Sequence, residues 1–258
     1  ESMGKKEVLE EKSLTRRSLL SGAGKIAVVG AGIVAVSGGL SLFSKAEAKG
    51  PQALPWPYEK LDIKEVGKIA YDGWYKAFCS YGVASGILTP LQTKIGEPYT
   101  LLPVEGLRLG EGGTVGWGTL CGSILGATVA LGFVAPYDVG KQILNEVLQW
   151  YSDTDLPIYK PETPKAEVKV MSVSNSPLCH ISVSNWCKKA GKAFGSPERK
   201  DRCARITADV AVKTVMLLND WKDGKFKSTL KHPPALYGTP SQHNCGGCHS
   251  TKIPEVIK

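Results

Sequence analysis

Apolar residues recur at helical spacing in three stretches of the chain. Between residues 63 and 88, Val66, Ile69, Ala70, Trp74, Ala77, Phe78 and Val83 are spaced for one face of a helix, which predicts one helix that carries Cys79 and is ended by Pro90. From Tyr137 to about Trp150, the residues Val139, Ile143, Val147 and Trp150 form a second stripe. After Ser196 comes the third, with Cys203, Ile206, Val210 and Leu217 on its apolar face and Thr214 as the one polar member. Ser196 can cap this helix, Pro197 fits its first turn, and Glu198 complements its dipole.

A fourth stretch, from Gly112 to Tyr137, contains no charged residue. Its length suits a membrane span, and Gly118, Gly122 and Gly126 at four-residue spacing would suit helix pairing in lipid. Seven glycines between Gly112 and Gly132 dilute its apolar content, however, and no basic cluster flanks it, so a buried central helix holding Cys121 is predicted instead. "DLPIYKPETPKAEV" reads as a linker or crossing loop. The stretch "VMSVSNSPLCHISVSNWCKKAG" opens β-branched and then gives no clear element. Beyond Gly224 the chain has little regular patterning. The fold class is therefore mainly α: a helical domain over 49–223, followed by an irregular C-terminal segment over 224–258.

The first 48 residues follow another logic. "TRRSLL" precedes a moderately apolar, Gly-rich run that leads to Ala46 and Ala48, and together these describe a twin-arginine export signal cleaved after Ala48. The same run contains "IAVVGAGIVA", which imitates the glycine turn of a dinucleotide fold. A dinucleotide site needs a second strand ending in an acid about twenty residues on. "SKAEAKGPQALPWP" stands there and is no strand. The expected location is the periplasm, with no stable membrane span once the signal is removed.

Composition adds bounds. With 258 residues, 42% of them hydrophobic, the chain can bury a core and is not disordered. The formal charge of +8 is read as a solvated basic surface, and no nucleic-acid partner is expected. Seven cysteines cannot all pair within one chain.

Two of them lie in "NCGGCHS". Cys245 and Cys248 supply the two thiols that add to porphyrin vinyl groups, and His249 supplies an adjacent proximal imidazole, so the run predicts covalent haem c. A zinc half-site and a dithiol are the alternatives; the chain has no second Cys-x-x-Cys to complete zinc, and no strand-to-helix context for a dithiol. Candidate sixth ligands to the haem iron are His180, His232 and His243, the last able to reach a haem of a partner chain. Twin-arginine export carries folded proteins, whereas haem c is attached after export. A second cofactor, assembled in the cytoplasm, reconciles the two. No Ser-His-Asp set or carboxylate pair marks a catalyst, so catalytic residues are expected to be none.

The remaining cysteines are Cys79, Cys121, Cys179, Cys187 and Cys203. "AFCSYGVASGIL", "GEGGTVGWGTLCGSILGATVALG", "NSPLCHISV" and "DRCARITADVAV" resemble the redox-active family named for its four cysteines and its Cys-Gly-Ala-x-x-Gly motif. The motif stands here as Cys121-Gly122-Ser123-x-x-Gly126, with Ser123 in place of Ala. With the haem run and the export signal added, the resemblance narrows to c-type cytochromes within that family. It implies a periplasmic homodimer joined through its haem end, with two stacked bis-histidine haems and redox partner proteins. It further implies a two-iron iron-sulfur centre held by Cys79, Cys121, Cys179 and Cys203, with Cys187 as a substitute ligand. Thiolates from separate elements suit such a cluster, although buried apolar cysteines would also explain them. The expected function is single-electron transfer. A haem and iron-sulfur reductase of a small oxidised sulfur or nitrogen compound is the alternative, and a structural zinc protein without haem is another.

Overall fold

The computed structural model describes residues 52–229, and these form five α-helices: α1 (Ile63–Ile95), α2 (Gly122–Val134), α3 (Tyr137–Asp153), α4 (Cys179–Ala190) and α5 (Pro197–Lys222). Short 3₁₀ turns at Tyr99–Leu101 and Val104–Gly110 follow α1. Only isolated bridges, Leu120 with Leu178 and Leu156 with Ser172, interrupt this helical character among the described residues. α1 packs against α5 and α2, and α3 closes on both of the latter.

α1 departs from the single helix expected. Asp62 caps its start by accepting hydrogen bonds from the Lys64 and Glu65 N–H groups, but the helical path breaks at Ala77 (φ −155°, ψ 32°) and Phe78 (φ 65°, ψ −162°). The chain reverses there. The two limbs, 63–76 and 79–95, run back along each other, so closely that a Cβ at Gly82 would stand 2.8 Å from the Ala70 carbonyl oxygen and 3.0 Å from the Trp74 nitrogen. Nor does Pro90 end the helix, which continues to Ile95. Val83, Ala84, Ile87, Leu88 and Leu91 are all fully buried around Pro90, and this packing outweighs the hydrogen bond the proline cannot donate.

The uncharged stretch also differs from expectation. Gly112, Gly113, Gly116 and Gly118 all take positive φ, so residues 111–120 form a folded loop and the helix begins only at Gly122. Cys121 thus caps a helix instead of lying within one. α2 is nonetheless buried, as expected, through Ile124, Gly126, Ala127, Ala130, Leu131 and Val134. No helix among the described residues is long and apolar enough to cross a membrane. α3 and α5 match their predicted stripes. Ile143 and Val147 are buried on α3, and Ile206, Val210 and Thr214 on α5, where the Thr214 hydroxyl donates to the Val210 carbonyl at 2.7 Å. The Ser196 hydroxyl accepts from the Arg199 N–H, as a capping residue should.

The Pro-rich segment after α3 crosses over α5 and is pinned to it. The Ile158 and Tyr159 N–H groups donate to the two Asp209 carboxylate oxygens at 2.9 and 2.7 Å, and Arg205 donates to the Ala166 carbonyl at 3.1 Å. Burial pushes the Asp209 carboxyl up to about 7, against the lowering effect of those two N–H donors and of Arg202 and Arg205. Between its unfolded value of about 3.9 and about 7, the folded chain binds this proton more tightly than the unfolded one. The stability that Asp209 contributes is therefore complete below about pH 4 and is lost as pH rises through 7. In urea unfolding, the native protein should lose about 2 kcal/mol more than Asp209→Asn between pH 5 and pH 8. Parallel pH profiles would show that Asp209 stays ionised in the fold.

Candidate metal centre

Three cysteines occupy helix starts and one lies on a helix flank. Cys79 is the first residue after the break in α1, Cys121 caps α2, Cys179 opens α4, and Cys203 sits in the second turn of α5. Helix starts present unpaired N–H groups and the positive end of the dipole, which favour anionic sulfur. The Cys121 N–H donates to the Pro177 carbonyl at 2.9 Å, and the Cys179 N–H donates to the Thr119 carbonyl at 2.7 Å, so the starts of α2 and α4 lie side by side. Gly122 lets Cys79 join them, since a Cβ at that glycine would stand 3.0 Å from the Cys79 Cβ. Ser123, the departure from the family motif, is accommodated by a buried hydroxyl pairing with Thr207 of α5 at 3.1 Å.

Cys79 lies within electrostatic range of Cys121, Cys179 and Cys203, and Cys179 within range of Cys121 and Cys203. Burial, then proximity to Cys121 and Cys203, raises the Cys79 thiol well above its ordinary value. The same causes push Cys179 up to about 12, although Arg202 and Arg199 oppose the shift. In the free protein these two thiols therefore stay protonated at neutral pH, and a bound cation would displace their protons. All five described cysteines are free. Cys187 lies two turns along α4 from Cys179; burial raises its thiol, and Cys203 adds to the shift while Arg199 and Arg202 oppose it.

Among the described residues, no three His, Cys, Asp or Glu side chains are grouped so as to hold a metal ion as they stand. The fit to a soft metal rests instead on donor chemistry and charge. Arg202 of α5 is 2% exposed and sits beside Cys203, its Nη1 3.9 Å from the Sγ. Its Nη2 donates to the Ser182 carbonyl and hydroxyl at 3.1 and 2.8 Å. Tyr151, fully buried, donates to the same Ser182 hydroxyl at 2.8 Å and also faces Cys121. Sequence reasoning missed Arg202, Ser182 and Tyr151. The signal for Arg202 was present, because it lies four residues before Ile206 and so extends the Ile206, Val210, Thr214 stripe as a lone cation.

On its outer side the cysteine set opens into a cavity of about 740 Å³, floored by Cys79, Cys179 and Cys203 and walled by Trp74, Phe78 and Phe194. His180, exposed, reaches this cavity. His232, His243, Cys245, Cys248 and His249 lie outside the described residues.

A helical scaffold that carries cysteines on four separate elements, one of them beside a buried guanidinium, suits a redox-active class of protein. Residues 78–217 match the family described as "Putative redox-active protein (C_GCAxxG_C_C)", and the chain belongs to that family. It is 36% identical over 253 residues, 93% of this chain and 88% of the relative, to the split-Soret cytochrome c of Desulfovibrio desulfuricans (strain ATCC 27774). A solved structure described as "A novel iron centre in the split-Soret cytochrome c from Desulfovibrio desulfuricans ATCC 27774" superposes with a TM-score of 0.67, at 36% identity, over 79% of this chain and 86% of that one. The expected mainly helical class, the family and the narrower likeness to a c-type cytochrome all agree with these matches.

Proposed function

We propose that this protein is an exported, dimeric c-type cytochrome that moves single electrons through a covalently bound haem and a cysteine-held iron-sulfur centre. What supports this reading is that Cys121, Cys179 and Cys203, on three other elements, lie within electrostatic range of Cys79, in a chain that also contains Cys245, Cys248 and His249 in haem-attachment spacing. Cys245 and Cys248 would hold the haem edge and His249 its iron; His180, His232 or His243, from the same chain or its partner, would complete the iron. The four thiols would hold a two-iron cluster, whose span exceeds that of a single ion. When bound, haem and cluster supply one-electron oxidation and reduction. The chain's own residues bury Cys79 and Cys121, set Arg202 beside Cys203 and screen the inner side of the centre with Tyr151 and α2.

A second reading, a haem and iron-sulfur reductase, is favoured by the cavity, which would admit a small oxidised sulfur or nitrogen compound to the outer face of the cysteines. Turnover of sulfite or nitrite by reduced protein would favour it over the carrier.

The deciding experiment is a visible spectrum of the oxidised and reduced protein from a host that matures haem c, with a denatured-gel haem stain and counts of iron and acid-labile sulfide. Covalent haem with a divided Soret band, together with two non-haem irons and two sulfides per chain, is the expected result. A colourless, folded, zinc-loaded product would overturn the proposal.

A further inference from the structure

Arg202 carries a buried charge that the protein does not neutralise by itself. Among the described residues no carboxylate lies within ion-pair distance of its guanidinium: the neighbouring Asp201 is engaged by Arg205 at 2.6 Å and by the Tyr75 hydroxyl at 2.8 Å. Asp209, within electrostatic range, turns both oxygens to the Ile158 and Tyr159 N–H groups. What Arg202 does meet is neutral or sulfur. Nη2 is held by the Ser182 carbonyl and hydroxyl, Nη1 faces Cys203, and Nε is buried with no partner at all. A guanidinium cannot shed its proton to escape this cost, so an isolated buried one requires an anion that the bare chain lacks.

We infer that Arg202 is the fixed counter-charge of the cysteine centre and sets its reduction potential. The inference rests on the reading of that centre as a thiolate-held iron cluster. Four thiolates make such a centre negative, and one-electron reduction adds a further negative charge without making or breaking a bond. A cation held in a low-dielectric interior stabilises the reduced form more than the oxidised form and so raises the potential. Ser182 is the anchor that keeps the cation in place, and Tyr151 buttresses Ser182. Arg202 is thus a positioning residue: it tunes the centre without ligating it.

The test is a mediated redox titration of the full-length, haem-loaded protein, following the non-haem iron signal by electron paramagnetic resonance, with iron and sulfide counts on every sample. Arg202→Gln should lower the midpoint so that reduction is at least tenfold less favourable, about 59 mV for one electron. Arg202→Lys, which keeps the charge, should recover more than half of that shift. An unchanged or raised midpoint in loaded Arg202→Gln overturns the inference, as does an Arg202→Lys shift as large as that of the glutamine variant. If Arg202→Gln gives no folded, loaded protein, Ser182→Ala decides: a fall in midpoint supports the role and an unchanged or raised midpoint overturns it. Wild-type protein without non-haem iron would instead sink the cluster reading itself, a result distinct from any of these.

Discussion

Serine at Cys79, Cys121, Cys179 or Cys203 should reduce the bound non-haem iron at least tenfold, whereas serine at Cys187 should leave it unchanged. A serine hydroxyl does not ionise near neutral pH and is a hard donor, so it binds a sulfur-rich iron centre more weakly than a thiolate does, and changes even one shell further out cost ten- to a hundredfold in metal affinity. The contrast with Cys187 follows from placement. Cys79 senses Cys121, Cys203 and Cys179, whereas Cys187 senses only Cys203 of that set. Iron and sulfide counts on the five variants check this, with thermal unfolding of each in parallel, because a hydroxyl at the buried Cys79 or Cys121 costs about 1–3 kcal/mol in its own right. If Cys187→Ser loses iron and Cys179→Ser keeps it, the ligand set must be redrawn along α4. If all five variants keep iron, the cysteines are packing residues.

The amphipathic helices were legible because they report to the core through local spacing alone. α5 shows this best: its cap, its first-turn proline and its apolar stripe all stand where the pattern put them. The reversal inside α1 was not legible. Ala77 and Phe78 carry no turn signal, and Phe78 adopts φ 65°, a conformation that a bulky residue takes only where its surroundings impose it. Here the imposing contact is between the limbs, through Gly82 against Ala70 and Trp74, and it belongs to tertiary packing. The same holds at the site. The family resemblance named four cysteines, and Arg202 was marked by its place on the α5 stripe, but that its guanidinium turns to Cys203 and Ser182 follows from packing. The cavity over Cys79, Cys179 and Cys203 likewise depends on the glycine loop, whose positive φ angles defeated the helix expected there.

Those two lessons meet in α2, where three glycines should respond to the same substitution with opposite signs. Gly126→Ala should destabilise the fold by about 2 kcal/mol, because a Cβ there would stand 2.4 Å from the Ser80 carbonyl oxygen and 2.9 Å from the Val83 Cβ, and backbone cannot give way as a flexible side chain can. Overpacking of this kind costs about 3 kcal/mol, and alanine's better helix propensity returns only about 1 kcal/mol, so the clash wins. Gly132→Ala, with nothing within 4 Å of the added carbon, should show the propensity gain alone, about 0.5–1 kcal/mol of stabilisation. Gly122→Ala adds a functional cost to the structural one, because its Cβ would meet the Gly110 carbonyl oxygen and press on Cys79. Its iron content should fall even under conditions where it stays folded. Urea midpoints with iron counts on the three variants separate these outcomes. If Gly122→Ala and Gly126→Ala prove as stable as Gly132→Ala, then α2 does not lie against the second limb of α1, and the route by which Cys79 reaches Cys121 is wrong. If instead Gly122→Ala loses iron while Gly126→Ala, equally destabilised, retains it, then Gly122 serves to admit Cys79 to the centre, and the spacing from Cys121 to Gly126 combines a ligand, a point of access and a packing contact in six consecutive residues.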